Sequence, residues 1–174
     1  MCARYDFEFD SVSSVFVYEG SLRQAIHNLK YHDQAWLTEF AAKAMSEKLY
    51  SIGFSYDIIT YVPMYRKKEH ARGYNQAKLL AEKISSLTGI KCVSTLIRTK
   101  NTTPQSMLDK HERMNNISGA ININNEFRTI LQDKSILVID DILTTGSSLN
   151  ECAKILKSNG ANKVYGLCLC AVKE

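Results

Sequence analysis

The fold is decided by residues 136–148, which have the sequence Ile-Leu-Val-Ile-Asp-Asp-Ile-Leu-Thr-Thr-Gly-Ser-Ser. The residues at its start are apolar and mostly β-branched, a pattern typical of a strand that is buried on both faces of a parallel sheet. Two carboxylates, Asp140 and Asp141, follow at the C-terminal end of this predicted strand. A helix is predicted to begin after the turn, because Ser148 and Glu151 have the spacing of a capping box. This order of strand, acidic pair, turn and helix predicts an α/β fold.

The turn that follows the acidic pair has the chemistry of a phosphate-binding loop. Its backbone N–H groups and the positive end of the helix dipole are suited to bind a phosphate, and small hydroxyl side chains add donors. Gly146 lets the backbone approach the ligand closely. The predicted phosphate-binding residues are Thr144, Thr145, Gly146, Ser147 and Ser148.

The acidic pair lies one step from this predicted phosphate site. There Asp140 and Asp141 would accept hydrogen bonds from sugar hydroxyls or hold a magnesium ion. Such a combination fits a ribose 5-phosphate. The alternative is an ordinary strand–turn–helix connection whose Asp and Thr side chains only cap the helix. Two adjacent aspartates after an all-apolar strand, followed by Thr-Thr-Gly-Ser-Ser, make that alternative the weaker one.

The composition is that of one globular domain spanning residues 1–174. Hydrophobic residues make up 45% of the chain and charged residues 23%, which argues against a disordered protein. No apolar run approaches the roughly 20 residues that span a bilayer, and the N-terminus lacks a signal-peptide core. A cytoplasmic protein without membrane insertion is therefore expected. The net charge of +4 permits an anionic ligand or a nucleic acid as a partner but demands neither.

Hydrophobic periodicity predicts strands and helices along the whole chain. Strands are predicted at residues 15–18, 57–62, 92–97, 120–123, 136–139 and 164–172, and helices at residues 35–49, 75–87 and after residue 148. The side chains predicted to face inward from the first of these helices are Trp36, Leu37, Phe40, Ala41, Ala44 and Met45. Those predicted to face inward from the last are Leu149, Cys152, Ala153 and Leu156.

A basic loop is predicted at residues 64–73, directly after the strand at residues 57–62. Runs of this kind are usually solvated, charged turns. Here the loop follows a strand end, where it would share the edge of the sheet with the acidic pair. At that edge Arg66, Lys67 and Arg72 would neutralise the oxygens of a pyrophosphate.

Residues 136–148 resemble the phosphoribosyl pyrophosphate (PRPP) motif of the type I phosphoribosyltransferases. The resemblance implies a mostly parallel central sheet flanked by helices, with a small hood at residues 1–50 and a PRPP-binding core at residues 51–174. It implies that Asp140 and Asp141 bind the ribose hydroxyls, directly or through magnesium. It also implies that residues 144–148 surround the 5-phosphate.

Further motifs resemble the ComF-type phosphoribosyltransferase-like proteins, which are associated with DNA uptake in naturally competent bacteria. In chain order these motifs are Leu29-Lys30-Tyr31, Arg72-Gly73-Tyr74-Asn75-Gln76-Ala77, Thr103-Pro104-Gln105, Glu112-Arg113 with Asn116, and Gly119-Ala120. Family members usually begin with a small zinc ribbon. Cys2 alone cannot supply the four ligands of such a site, so no zinc site is expected.

The resemblance implies a glycosyltransferase that uses PRPP and magnesium. A nitrogen nucleophile would displace pyrophosphate at C1 of the ribose through an oxocarbenium-like transition state. The implied catalytic residues are Asp140, Asp141, Arg66 and Arg72, and Lys67 is an implied pyrophosphate ligand. Residues 99–105, with Arg98 and Lys100, are the candidate for a loop that closes and excludes water. Enzymes of this type often pair, which is compatible with a homodimer.

The alternative function is a non-catalytic protein that uses the same fold to bind single-stranded DNA or competence proteins. A cationic cleft with backbone donors serves a DNA backbone as well as a sugar phosphate. Tyr65 and Tyr74, interleaved with the basic residues, would then stack on bases, although half-buried packing is the more common role for such side chains. The intact acidic pair favours PRPP, because two carboxylates beside a phosphate site bring a DNA binder no advantage.

Overall fold

The structure, a computed structural model, describes residues 7–20, 23–24, 35–102 and 117–172 of the 174-residue chain. The strands are β1 (Ser11–Val17), β2 (Ile58–Tyr61), β3 (Leu96–Arg98), β4 (Ile121–Ile123), β5 (Ser135–Leu143) and β6 (Lys163–Ala171). The helices are α1 (Ala35–Ile52), α2 (Arg66–Arg72), α3 (Gln76–Thr88) and α4 (Ser147–Ser158), and a 3₁₀ helix covers Asn125–Leu131. The motifs at residues 29–31, 103–105 and 112–116 lie outside the described residues.

The central sheet consists of four parallel strands in the order β1-β6-β5-β2. β5 is an inner strand, so that Ile136 pairs with Ile58 on one side and with Val164 on the other. β3 and β4 form a separate antiparallel pair. The predicted α/β fold with a parallel central sheet is confirmed.

Hydrophobic cores cover both faces of this sheet. α1 and α3 pack on one face together with Leu137 and Ile139, and α4 packs on the other together with Ile136 and Val138. Burial of each such Leu or Ile side chain stabilises the fold by about 1.5–3 kcal/mol. All four side chains of α4 that were predicted to face inward are buried, which confirms that prediction.

Two side chains of α1 contradict the predicted inward face. Trp36 is 67% exposed and Phe40 is 58% exposed, whereas Leu37, Ala41 and Met45 are buried. The buried residues repeat every four positions, and their neighbours at residues 36 and 40 lie about 100° away around the helix. Both large apolar side chains therefore point to the outer face, and their predicted inward orientation is wrong.

The basic stretch predicted as a loop contains the helix α2, which ends at Gly73 with a φ of 89°. The strand predicted at residues 92–97 is also wrong in extent, because β3 covers only Leu96–Arg98. A single bridge joins Cys92 to Ile59, after which the chain leaves the central sheet to pair with β4. Regular pairing thus begins only where an antiparallel partner is available.

Candidate functional site

The acidic pair lies within β5 rather than after it. β6 runs alongside as far as Ala171, and its register pairs Asp140 with Cys168 and Leu143 with Ala171. The predicted strand end at Ile139 is therefore too early, because the long partner strand continues to offer hydrogen bonds past both carboxylates. Asp140 and Asp141 are each half-buried near the C-terminal end of the sheet.

The two carboxylates point to opposite faces of the sheet, since successive side chains alternate along a strand. Asp140 shares the face of Ile136 and Val138, on which α4 packs. Its side-chain oxygen accepts the backbone N–H of Asp141 at 2.8 Å. Asp140 also lines the small pocket beside the turn that follows β5. Of the pair, it is the residue that borders the predicted phosphate site.

The turn at residues 144–148 leads directly into α4. Gly146 is the N-cap with a φ of 75°, and α4 begins at Ser147. The hydroxyls of Thr145 and Ser147 are 3.0 Å apart, and the backbone N–H of Ser147 points to the Thr145 hydroxyl at 3.4 Å. The 144–148 turn thus presents hydroxyls and backbone donors at the positive end of a helix, as a phosphate site requires.

The predicted capping box is wrong. Ser148 lies inside the first turn of α4, because the helix begins one residue before it. Glu151 is buried and accepts the backbone N–H of Gly119 at 2.7 Å. Its carboxylate thus joins α4 to the segment that leads into β4, a contact that spacing along one helix does not reveal.

An N-terminal segment that the sequence left unassigned supports the 144–148 turn. The rings of Phe7 and Phe9 stack with their centroids 4.7 Å apart. Both rings lie within 3.7 Å of the position that a Cβ atom would take at Gly146. The backbone N–H of Glu8 donates to the Asn150 side chain at 2.6 Å, which fastens the segment to the first turn of α4. The sequence of this segment has no periodicity, so nothing in it predicted these contacts with the turn and with α4.

We expect Gly146→Ala to lower both stability and phosphate binding. An L-residue in the left-handed conformation of Gly146 costs about 1–2 kcal/mol, and its methyl group would lie in ordinary van der Waals contact with the rings of Phe7 and Phe9. Phosphate binding should fall because relief of the backbone strain would shift the N–H groups of the turn. Thermal unfolding and titration with ribose 5-phosphate measure the two effects. Gly53→Ala is the matched control, because Gly53 also has a positive φ of 72° but has open space around it. A loss of stability alone, equal in both variants, would contradict the role in binding.

The motif at residues 72–77 joins α2 to α3. The Asn75 side chain accepts the N–H of Ala77 at 3.1 Å and donates to the carbonyl of Val62 at 3.1 Å. The Arg72 guanidinium donates to the Gln76 side chain at 2.9 Å. Asn75 therefore caps α3 and ties it to the end of β2, and this holds α2 in place at the edge of the sheet.

Three basic side chains, Lys68, Arg72 and Arg98, form what we call the cation cluster. The backbones of Tyr65 and Arg98 form a β-bridge, which sets α2 next to β3. Burial and the nearby charges of Arg98 and Arg72 lower the pKa of Lys68. Burial also lowers the pKa of Arg98, whereas the charge of Asp140 opposes that shift. Of the three cations, Arg98 thus interacts electrostatically with Asp140.

Of the basic residues predicted to bind pyrophosphate, only Arg72 belongs to this cluster. Arg66 and Lys67 are exposed and line an open groove of about 530 Å³ together with Tyr65 and His70. Lys68 was predicted only as part of the basic loop and Arg98 only beside the candidate closing loop, and neither was predicted as a pyrophosphate ligand. The position of Arg98 at the end of a strand was an available signal, because strand ends carry ligands in this fold class.

Comparison with known proteins identifies the family. The sequence matches the Phosphoribosyl transferase domain over residues 71–174. The chain belongs to the phosphoribosyltransferase domain family. The matched region contains the acidic pair, the 144–148 turn and both Arg72 and Arg98, whereas α1 and most of α2 precede it.

Relatives of this phosphoribosyltransferase-domain protein are named as competence proteins or DNA utilization proteins, which confirms the ComF-type resemblance. It is 28% identical to Competence protein F of Haemophilus influenzae, over 95% of this chain and 76% of the relative. It is 29% identical to DNA utilization protein YhgH of Salmonella typhimurium, over 90% and 70% of the two chains. With Competence protein ComFC of Bacillus subtilis it shares 28% identity, over 84% and 58% of the two chains.

Solved structures agree in fold. The glutamine PRPP amidotransferase from B. subtilis complexed with ADP and GMP has a TM-score of 0.52 at 16% identity, over 81% of this chain and 30% of that one. A hypothetical protein from Neisseria gonorrhoeae with bound ppGpp has a TM-score of 0.53 at 13% identity, over 79% and 69% of the two chains. At such identities the similarity concerns the fold alone.

The acidic pair has the donor chemistry that magnesium prefers. Mg²⁺ binds oxygen ligands and is usually held by one or two carboxylates together with substrate phosphates. Asp140 and Asp141 supply two half-buried carboxylates at adjacent positions. Within the described ranges, no three His, Cys, Asp or Glu side chains come together as a complete metal cage.

No helix of the described part of the chain has the length and apolar character to cross a membrane.

Proposed function

We propose that this protein binds PRPP with magnesium and transfers the phosphoribosyl group to a nitrogen nucleophile. The observation that carries the proposal is that Asp140 lines the pocket beside the 144–148 turn and interacts electrostatically with Arg98 of the cation cluster. The cations, the carboxylates and the helix N-terminus supply the chemistry that the three parts of PRPP require, namely pyrophosphate, ribose and 5-phosphate.

Each part of the ligand is assigned to one group of residues. The backbone N–H groups and hydroxyls of residues 144–148 bind the 5-phosphate. Asp140 and Asp141 bind the ribose hydroxyls and would hold magnesium, which when bound would help to neutralise the charge of the pyrophosphate group. The cation cluster binds the pyrophosphate, with Lys68 and Arg98 added to the predicted Arg72. Arg66 and Lys67 remain candidates for the outer pyrophosphate oxygens.

The chemistry is a substitution at C1 of the ribose. The bond from C1 to the pyrophosphate oxygen breaks, and the electron pair leaves with pyrophosphate. A bond forms between C1 and the nitrogen, which then loses a proton to solvent. The cation cluster stabilises the charge that develops on the leaving pyrophosphate, and Asp140 holds the ribose as its ring gains positive character.

These assignments give the two parts of the chain different roles. Residues 51–174 carry the groups assigned to PRPP, and residues 1–50, which also supply β1 to the central sheet and most of α1 to its core, contribute a hood on the acceptor side. The names of the relatives, Competence protein F and DNA utilization protein, support a role in the uptake or use of DNA. A single-stranded DNA or a competence protein would then be a partner of the same chain.

Calorimetric titration with PRPP, in the presence and absence of magnesium, tests the proposal. We expect binding that requires or is strongly enhanced by magnesium, and separate, weaker binding of ribose 5-phosphate and pyrophosphate. Absence of PRPP binding under both conditions would reject the function. A screen of nitrogen acceptors with detection of released pyrophosphate then tests transfer.

The open groove at Tyr65, Arg66, Lys67 and His70 favours a second function, binding of single-stranded DNA. An aromatic ring among exposed basic side chains suits stacking on bases and contact with phosphates. We expect Arg66→Glu with Lys67→Glu to weaken binding of a labelled oligothymidylate about tenfold or more, because each phosphate contact depends on charge and salt. Fluorescence anisotropy over a salt series measures this. Lys43→Glu with Lys154→Glu is the charge-matched control, because both lysines are exposed on other helices, and salt-independent binding would reject the DNA function.

A further inference from the structure

Thr102 is bound by two members of the cation cluster at once. The Lys68 ammonium donates to the Thr102 carbonyl oxygen at 2.6 Å. The Arg98 guanidinium donates to the Thr102 hydroxyl. One half-buried residue thus supplies two oxygens, each to a different cation.

The backbones of Lys68 and Arg98 are held by contacts that do not involve Thr102. Lys68 belongs to α2, which is held by the Asn75 contacts to Val62 and Ala77. Arg98 belongs to β3, which pairs with β4 along its whole length. The bridge between Tyr65 and Arg98 joins the two elements. The backbones that carry the two cations are therefore held in place by contacts other than those to Thr102.

Thr102 accepts one hydrogen bond from each of these cations but does not neutralise their charge. Within the described ranges, neither Lys68 nor Arg98 forms an ion pair with a carboxylate. Burial and mutual repulsion disfavour the charged form of Lys68. The carbonyl and hydroxyl of Thr102 are neutral acceptors, whereas a phosphate group also brings negative charge and can accept two parallel hydrogen bonds from the Arg98 guanidinium. A doubly charged phosphate group would therefore displace Thr102.

We propose that Thr102 is a displaceable occupant of the pyrophosphate subsite and determines which anions that subsite admits. Pyrophosphate and PRPP present several charged oxygens and replace both Thr102 contacts. Inorganic monophosphate gains less from the same exchange, and ribose 5-phosphate, which places its phosphate in the 144–148 turn, leaves Thr102 bound. The proposal rests on the proposed function, since it assigns a competitor to the same site.

The exchange ties the position of Thr102 to the progress of the reaction. Thr102 is released while PRPP or pyrophosphate is bound, and it returns to Lys68 and Arg98 once pyrophosphate has left. The returning hydroxyl and carbonyl would then oppose rebinding of pyrophosphate while the nucleotide product is still present. Product inhibition by pyrophosphate is thereby weakened.

Thr102→Val tests the proposal, because it removes the hydroxyl and keeps the shape of the side chain. Loss of one hydrogen bond to a charged group changes the competition by about 1.5 kcal/mol, and we expect pyrophosphate to bind about tenfold more tightly to the variant. Binding of ribose 5-phosphate should be unchanged. Thr102→Ser restores the hydroxyl and should bind pyrophosphate like the wild type. Calorimetry with inorganic pyrophosphate, monophosphate and ribose 5-phosphate provides all three comparisons, and the thermal midpoint of each variant shows that the fold is retained.

The outcomes separate this inference from the proposed function. If the wild type binds pyrophosphate and Thr102→Val binds it equally or less tightly, Thr102 is no competitor and the inference alone fails. If neither protein binds pyrophosphate or PRPP, both proposals fail. Tighter binding of pyrophosphate and monophosphate by the same factor would retain the displacement but reject discrimination between the two anions.

Discussion

Replacing Asp140 and Asp141 together by asparagine is expected to weaken magnesium-dependent binding of PRPP by about 100-fold or more. Hydrogen bonds to charged groups contribute about 1.5–3 kcal/mol each, and the double variant removes both charges from the ribose and magnesium site. Asparagine keeps the size of the side chain and one acceptor oxygen, so the contact from the Asp141 N–H to residue 140 can persist. Circular dichroism and the thermal midpoint should therefore match the wild type, and calorimetry with PRPP and magnesium measures the loss.

The single variants separate the two carboxylates. Asp140→Asn should lose more affinity than Asp141→Asn, because Asp140 lines the pocket beside the 144–148 turn and interacts with Arg98. Asp133→Asn is the control for loss of one carboxylate. It lies in an exposed turn with a φ of 57°, a conformation that asparagine tolerates well. Unchanged PRPP affinity in the double variant would contradict the assignment of the acidic pair.

Local sequence patterns predicted those parts of the molecule that depend on local chemistry. The apolar run at residues 136–139 predicted a strand buried on both faces, and the structure places it between β2 and β6. Residues 144–148 lead into a helix as predicted, because glycine at a positive φ and small hydroxyl residues suit that turn. The strand end was misplaced, since the length of β5 depends on how far β6 extends beside it.

Contacts between distant segments account for what the sequence did not predict. Arg98 interacts electrostatically with Asp140 only because the β3–β4 pair folds beside α4. The sequence contains no local sign of that arrangement. Glu151 looked like a capping residue, and its partner Gly119 is 32 positions away. The prediction for α1 was wrong for a different reason. Trp36 and Phe40 are apolar, but they lie beside the buried face of the helix rather than on it.

Replacing Arg98 by glutamine is expected to weaken binding of pyrophosphate by about 10- to 100-fold. The guanidinium is partly removed from water by its surroundings, where a charge-assisted contact with a phosphate oxygen is stronger than at the surface. The fold should tolerate the change, because the Arg98 side chain is half-buried and the backbone of Arg98 is held by the β3–β4 pairing and by the bridge to Tyr65. Calorimetry with inorganic pyrophosphate measures the loss, and ribose 5-phosphate should bind as it does to the wild type.

Two further variants decide between the cation cluster and the basic residues that the sequence predicted. Arg128→Gln removes an exposed arginine of the 3₁₀ helix and controls for the change in net charge. Arg66→Gln with Lys67→Gln removes the two exposed cations of the open groove. If this pair loses pyrophosphate binding while Arg98→Gln retains it, the cluster assignment is wrong and the sequence prediction holds.

Arg98→Lys distinguishes charge from geometry at the same position. Lysine retains the positive charge but not the planar fork that can hold two phosphate oxygens at once. A purely electrostatic role predicts near wild-type affinity for pyrophosphate in this variant. A role in bidentate binding predicts a loss of affinity close to that of Arg98→Gln. We expect this second result, because the β-bridge to Tyr65 anchors the backbone of Arg98 and fixes the direction from which its side chain approaches the ligand.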